Sequence, residues 1–192
     1  TYLQEDYDNA GLIVGNIEME IKGVLICLDA VESIVDEAIE LGCNVIVAHH
    51  PIIFRGLKQL NGKNYIERTV IKAIKNDIAI FAIHTNLDNV YFSGVNGKIA
   101  EMLKLSETRI LLPKAEQSFM NNTVGAGMIG NLNAEMSPED FLYFLKKQME
   151  LKIIKVTDLC KTSIRRVAVC GGAGGFLLTA AKSQGADIFI TS

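Results

Sequence analysis

Short apolar runs alternate with stretches of helical periodicity in the first half of the chain, and this alternation constrains the fold more than any other feature. Residues 21–28 form a β-rich apolar run, residues 31–41 carry apolar side chains at helical spacing, and residues 45–48 are entirely apolar. A short, fully apolar run is typical of a strand buried in a parallel sheet. The pattern predicts a strand–helix–strand unit, followed by a helix over residues 65–75 and a buried strand over residues 78–83.

The end of the chain repeats this unit. Residues 164–192 align with residues 21–49 without a gap, so that Cys170 falls on Cys27 and the strand, helix and strand coincide. We therefore predict the α/β fold class, with mixed or parallel sheets and a pseudo-repeated βαβ unit. The repeat also predicts that the end of a strand over residues 188–191 lies in a place equivalent to that of His49 and His50.

The character of the sequence changes after Pro113, where a polar, irregular stretch begins. We predict a first α/β half over residues 1–113, a linker or the site of a missing insert over residues 114–122, and a second half over residues 123–192. Within the second half, serine, proline and acidic residues at the start of 137–149 predict a capped helix.

Composition excludes several classes of function. The net charge of −3 indicates no nucleic-acid footprint, and hydrophobic residues make up 49% of the 192 residues, enough to fill a core. The four cysteines (Cys27, Cys43, Cys160 and Cys170) stand singly, which indicates a reducing compartment. Apolar runs are too short to span a bilayer and no leader opens the chain, so we expect a cytoplasmic protein without membrane partners.

The three histidines follow predicted strands directly. His49 and His50 come after the run over 45–48, and His84 comes after the run over 78–83 with Asp88 one short loop further on. Ligands of open α/β sheets bind at the carboxyl ends of strands, and imidazole and carboxylate groups suit divalent transition metals. A lone histidine is more often an ordinary core or surface residue, but three at strand ends favour a metal site.

Adjacent strand residues point to opposite faces, so His49 and His50 are better suited to two neighbouring metals than to one. Asp88 would bridge the metals or bind one of them, and further ligands must come from elsewhere. We expect His84 to face the substrate or to support the ligands. Asp29 follows a strand and could approach the site, whereas the acidic segment containing Asp8 is interpreted as solvated.

Two glycine-rich segments have a structural and a functional interpretation. Glycines between a strand and the next helix can expose N–H groups to a phosphate, or they can simply permit a tight turn, and both remain open here. The segment over 125–130 matches G-x-G-x-x-G, but no helix begins on it, so we predict a strand with close backbone contacts. The candidate substrate-binding glycines are Gly171, Gly172, Gly174 and Gly175.

The chain resembles the Nif-three-like family, often labelled GTP cyclohydrolase 1 type 2 homologue. The motifs that carry the resemblance are DNAGLIVG at residues 8–15, LD at 28–29, AHHP at 48–51, HTNLD at 84–88 and VCGGAGG at 169–175. They extend over nearly the whole chain, and the paired HHP and HTNLD motifs are specific to the family.

The resemblance implies that His49, His50 and Asp88 are ligands of a dinuclear centre of divalent metal ions such as zinc, iron or manganese. It also implies two intertwined α/β domains and a toroidal homohexamer whose metal sites face the inner cavity. The family supplies a further histidine and glutamate just after the strand matching residues 189–191, so we expect these ligands beyond Ser192. Some relatives carry an inserted domain near residues 114–122.

Two functions of different class are compatible with these residues. The first is a metal-dependent hydrolase of the GTP cyclohydrolase type, in which His84 moves a proton and the glycines of 171–175 hold the phosphate of a nucleotide. The second is a non-catalytic metal-binding regulatory or interaction protein that forms a ring-shaped oligomer. An open coordination position would favour the enzyme, and a closed one the structural role.

Overall fold

A computed structural model describes residues 3–114 and 124–192. The chain divides into two compact units, Thr1–Asn86 and Leu87–Ser192. This division comes earlier in the chain than the one predicted after residue 113. The reason is that the helix over Val95–Met102 and the strand over Ser106–Pro113 belong to the second unit. The predicted linker over 114–122 lies outside the described residues, apart from Lys114.

The first unit is a mixed four-stranded sheet with helices packed against it. The strand order is β1-β4-β3-β2, in which β2, β3 and β4 are parallel and β1 is antiparallel to β4. Its elements are β1 (Gly11–Val14), β2 (Val24–Asp29), α1 (Glu32–Glu40), β3 (Val45–His50), α2 (Tyr65–Lys75) and β4 (Ala79–Ala82). Helix α3 (Thr85–Asp88) follows β4 and contains the boundary between the two units.

The helices of the first unit bury their apolar stripes against the sheet. Val35 of α1 and Val70 of α2 meet Ile46 and Ile80 of the sheet in one buried cluster. Helix α2 begins where the sequence predicts because the side chain of Asn64 accepts a hydrogen bond from the backbone N–H of Glu67, 2.9 Å away. The core therefore holds the parallel strands in place, with their carboxyl ends at one edge.

The second unit is also a mixed four-stranded sheet, with the strand order β5-β6-β7-β8. Strands β5, β6 and β7 are antiparallel neighbours, and β8 is parallel to β7. Its elements are α4 (Val95–Met102), β5 (Ser106–Pro113), β6 (Gly125–Met136), α5 (Pro138–Gln148), β7 (Ile164–Cys170), a 3₁₀ turn (Gly175–Leu177), α6 (Leu178–Ser183) and β8 (Ile188–Thr191).

Alternating side chains of the central strands fill a core on each face of this sheet. Val167 and Phe141 lie in the cluster on one face, and Ala168 and Leu177 lie in the cluster on the other. The G-x-G-x-x-G segment lies within β6, as predicted. Gly127 has φ +65°, and a Cβ there would lie 2.8 Å from a methyl group of Leu177.

The predicted repeat is present in the structure at the level of strand register. Val24 pairs with Val45, while Val167 and Ile188, their counterparts in the alignment, pair with each other. Both strand pairs are parallel, and each is joined through a helix. The predicted α/β class with mixed sheets and a repeated βαβ unit is therefore confirmed.

Three elements were not expected from the sequence, namely β1, α3 and β5. The segment between His84 and Asp88 was expected to be a loop, but it forms the helical turn α3, so that expectation was wrong. Thr85 is buried at the start of this turn, and the backbone N–H of Asn86 donates to the carbonyl of Ile83 over 3.1 Å. In the described ranges, no helix is long and apolar enough to cross a membrane.

Candidate functional site

The three histidines come together at the carboxyl ends of neighbouring parallel strands. His49 and His50 are the last residues of β3, and His84 lies just beyond β4, where its backbone N–H donates to the carbonyl of His49 over 2.9 Å. The centroid of the His49 ring is 4.9 Å from that of His50 and 5.7 Å from that of His84, and the last two are 5.8 Å apart. We call these three residues the histidine cluster.

A carboxylate holds one ring nitrogen of His50. Asp29 ends β2 and lies opposite His50 in the parallel register, so its Oδ1 comes within 2.8 Å of His50 Nδ1. A carboxylate opposite Nδ1 favours the proton on that nitrogen, which leaves Nε2 with a free lone pair. The side chain of His50 is 46% exposed, so this donor is open to solvent.

A second carboxylate holds His84 in the same way. Oδ1 of Asp8 lies 2.6 Å from Nδ1 of His84, and the other oxygen accepts hydrogen bonds from the backbone N–H and the hydroxyl of Thr85. The side chain of Asp8 is fully buried, so the interpretation of its segment as solvated was wrong for this residue. Burial raises the pKa of Asp8, but the hydrogen bonds from Thr85 and His84 outweigh it and lower the pKa overall.

The environment of His49 favours the neutral imidazole. Burial lowers the pKa of His49, and the two neighbouring imidazoles lower it further, while the nearby carboxylates offset part of the effect. The neutral form is the one that donates a lone pair to a metal. His49 thus supplies a neutral nitrogen donor at one edge of the first sheet.

The backbone at His84 is strained. Its φ of +35° lies in the left-handed region that residues other than glycine rarely adopt. Such strain costs roughly 1–3 kcal/mol and persists only where surrounding contacts impose it. The residue is held here by the contacts of Asp8 with His84 and Thr85 and by the hydrogen bond from its backbone N–H to the carbonyl of His49.

An aromatic side chain lies beside the histidine cluster. The ring of Phe54 is 6.1 Å from that of His84, edge to face, and Phe54 is 48% exposed. The side chain of Asn9 donates a hydrogen bond to the carbonyl of Ile53 over 2.6 Å and so holds the segment that carries Phe54. The cluster therefore has a flat apolar surface next to its polar donors.

Asp88, the third predicted ligand, lies at the end of α3 and belongs to the second unit. Its backbone carbonyl accepts a hydrogen bond from the side chain of Asn96 over 2.9 Å. Its negative charge adds to the effect of burial, which raises the pKa of the Cys170 thiol to about 11. The assignment of Asp88 as a ligand together with His49 and His50 stays a prediction.

Among residues 3–114 and 124–192, no group of three or more histidine, cysteine or acidic side chains is placed to hold a metal ion. The sequence-based hypothesis already required ligands from elsewhere.

The predicted substrate-binding glycines form a loop whose N–H groups are largely engaged within the second unit. The N–H of Gly171 donates to Asn96, and the N–H of Gly174 donates to the hydroxyl of Thr191 over 2.7 Å. The N–H of Gly172 donates to the Ser192 hydroxyl, and Gly175 opens the 3₁₀ turn. These contacts support the tight-turn interpretation, and phosphate binding by this loop stays a prediction.

Sequence reasoning missed the two carboxylates as partners of the histidines. Asp29 was noted as a residue that could approach the site. The rule that the carboxyl ends of parallel strands meet at one edge of the sheet could also have predicted its contact with His50. Asp8 gave no comparable signal, because it precedes the first strand and is far from His84 along the chain.

These features define a class of protein: an α/β chain with two mixed sheets, which gathers carboxylate-supported imidazoles at the ends of parallel strands. A family model described as Duf34/NIF3 (NGG1p interacting factor 3) matches residues 1–192. The chain therefore belongs to the DUF34/NIF3 family, which confirms the resemblance found in its motifs.

Individual relatives agree with this assignment. A Clostridium perfringens protein named GTP cyclohydrolase 1 type 2 homolog is 32% identical over 189 residues, which make up 98% of this chain and 70% of that protein. A Lactococcus lactis protein of the same name is 35% identical over 188 residues, 96% of this chain and 68% of its own length.

Solved structures show the same fold. The Bacillus cereus protein related to NIF3 superposes with a TM-score of 0.90 at 28% identity, over 100% of this chain and 78% of that one. A Staphylococcus aureus hypothetical protein gives a TM-score of 0.87 at 30% identity, over 100% and 73%.

Proposed function

We propose that the chain binds divalent metal ions through His49, His50 and Asp88, and that it is a metal-dependent hydrolase of the GTP cyclohydrolase type. The observation that carries this proposal is the carboxylate-supported histidine cluster. Asp29 and Asp8 hold Nδ1 of His50 and His84 and leave each Nε2 free, which is the arrangement that metal-binding and proton-transferring histidines need.

The donor set fits zinc, iron or manganese, two ions per chain in the dinuclear case. Imidazole nitrogens with carboxylate oxygens are suitable ligands for all three metals. We expect the remaining ligands to be the histidine and glutamate that the family places after the strand corresponding to β8. When bound, such ions lower the pKa of water to about 7 and stabilise developing negative charge.

The exposure of His50 favours an enzyme over a structural metal clip. A structural site is closed by protein ligands, whereas a catalytic site keeps a position open to water or substrate. His50 and its partner Asp29 are 46% and 59% exposed, so the donor lies at an accessible surface of the first unit. For this reason we place the non-catalytic binding protein second.

His84 is the residue we assign to proton transfer. Hydrolytic opening of the imidazole ring of guanine adds water to the ring carbon and breaks a carbon–nitrogen bond, so the departing nitrogen needs a proton. Because Asp8 holds Nδ1 of His84, Nε2 is the nitrogen that can take a proton from the attacking water and pass it to the departing nitrogen. The exposed face of Phe54 offers a surface on which a purine can pack.

We further propose a small-molecule nucleotide as the substrate, rather than a nucleic acid or a membrane. The net charge of −3 supports this choice because it provides no general attraction for a polyanion. Family membership supports a toroidal homohexamer with its metal sites facing the cavity, and we expect this assembly to work in the cytoplasm.

Elemental analysis combined with a turnover assay tests the proposal. The protein, extended past Ser192 and purified without chelator, should contain about two divalent ions per chain. His49→Ala should lose metal and turnover of purine nucleotides, because it removes a ligand. The matched control His84→Ala should keep its metal and lose only turnover.

The outcomes separate the two halves of the proposal. Unchanged metal content in His49→Ala and His50→Ala would refute the assignment of the ligands. A metal-loaded protein that opens no purine ring would refute the hydrolase, and the non-catalytic metal-binding protein would then be the better account.

A further inference from the structure

A small polar pocket lies on the sheet of the second unit, away from the glycine loop. It encloses about 220 Å³ where β5, β6 and β7 run side by side. Arg109 lies opposite Ile129, and Asn131 lies opposite Arg166 in the antiparallel register. Residues two apart on a strand share a face, so both arginines project from the same face of the sheet.

The two guanidinium groups in this pocket are not neutralised. Within the described ranges, neither arginine side chain forms an ion pair with a carboxylate. Arg166 donates only to neutral acceptors from its side chain: Nε to Oδ1 of Asn131 and Nη1 to the carbonyl of Gln184, each over 3.3 Å. The side chain of Arg109 makes no hydrogen bond to any described residue. Two unpaired cations therefore face one small volume.

The neighbouring side chains orient this pocket in advance. Nδ2 of Asn131 donates to Oε2 of Glu107 over 2.7 Å, which turns Oδ1 of Asn131 towards Arg166. Glu107 has φ +50° and lies in an irregularity of the β5–β6 pairing between Ser106 and Arg109. Irregularities of this kind re-aim side chains, and here one brings the carboxylate of Glu107 to the pocket.

We propose that this pocket binds a phosphate group between Arg109 and Arg166. Planar guanidinium groups match the oxygens of phosphate and form charge-assisted hydrogen bonds with it. A volume of 220 Å³ admits one such group with a few waters, each of which occupies about 30 Å³ in the liquid. The carboxylate of Glu107 can accept a hydrogen bond from a hydroxyl of the ligand, so a phosphate monoester that carries hydroxyl groups should bind more tightly than inorganic phosphate.

Isothermal titration calorimetry with inorganic phosphate and with glycerol 3-phosphate, at fixed ionic strength, tests the proposal. We expect saturable binding of both in about the millimolar range or tighter, with the monoester favoured. Arg109→Gln and Arg166→Gln should each weaken binding roughly tenfold or more, because each removes a charge-assisted contact. Arg109→Gln is the cleaner variant, because its side chain has no described hydrogen bond to lose and the fold should be unaffected.

Arg165→Gln is the matched control. It removes the same charge from the adjacent residue of β7, which does not line the pocket. Its affinity should stay within about twofold of the unmodified protein. Equal weakening in all three variants would show nonspecific electrostatic attraction rather than a binding site, and would overturn the proposal. Absence of saturable binding of either compound would also overturn it.

Discussion

Replacing Asp8 by alanine should remove the main support of His84. The buried carboxylate accepts hydrogen bonds from Nδ1 of His84, from the backbone N–H of Thr85 and from the hydroxyl of Thr85. A buried donor that loses its acceptor costs about 1–3 kcal/mol. His84 is 20% exposed, so water can replace part of its bond, whereas Thr85 is buried. Counting mainly the two donors of Thr85, we expect Asp8→Ala to lower the free energy of unfolding by about 3 kcal/mol.

Urea-induced unfolding at pH 7 measures this loss. The matched control is Asp6→Ala, which removes an exposed carboxylate two residues away, and it should change the free energy of unfolding by less than about 0.5 kcal/mol. Asp8→Asn should fall between the two. Its amide keeps one acceptor oxygen, but its NH2 group is itself a donor and faces the donors of His84 and Thr85. A loss of less than about 1 kcal/mol in Asp8→Ala would refute the view that this carboxylate holds the turn together.

Three further substitutions test the second unit. Gly127→Ala should lower the free energy of unfolding by roughly 1–3 kcal/mol, because φ is +65° and the new methyl group would meet Leu177. In the control Gly175→Ala the new methyl group meets no atom of the described residues within 4 Å, so the same urea assay should show almost no change. Ser137→Ala removes the side-chain cap of α5 and should cost about 1 kcal/mol in urea-induced unfolding. Burial raises the pKa of Asp187, but two backbone N–H groups of β7 and a lysine outweigh it and lower the pKa from 3.8. Asp187 therefore stabilises the fold above pH 3.8 and loses this contribution as the pH falls through its lower folded-state pKa. Asp187→Asn should make the free energy of unfolding fall less steeply with decreasing pH in this range. An unchanged slope would contradict this.

Local signals account for the parts of the fold that could be predicted from the sequence. The bounds of α2 agree with the prediction because its start depends on a cap from Asn64, within the same few residues. Helix α5 begins after Ser137 for the same reason, since the hydroxyl accepts from the N–H of Asp140 over 3.1 Å. Strand β1 was missed because it is defined by antiparallel pairing with β4, a strand distant along the chain, which periodicity does not report. Strand β5 was missed because its polar and apolar residues do not alternate, although its partner β6 is the next strand in the sequence.

The same division applies to the candidate site. The positions of the three histidines follow from a general rule, because the carboxyl ends of parallel strands meet at one sheet edge. The conformation of His84 does not follow from any local rule, since nothing in its neighbours favours a φ of +35°. It depends on Asp8, whose carboxylate reaches both His84 and Thr85 from the opposite end of the unit's sequence. Local reasoning should fail where distant residues impose a strained geometry, and such places are enriched in function. The failure at His84 is therefore itself a reason to look for the chemistry of this protein there.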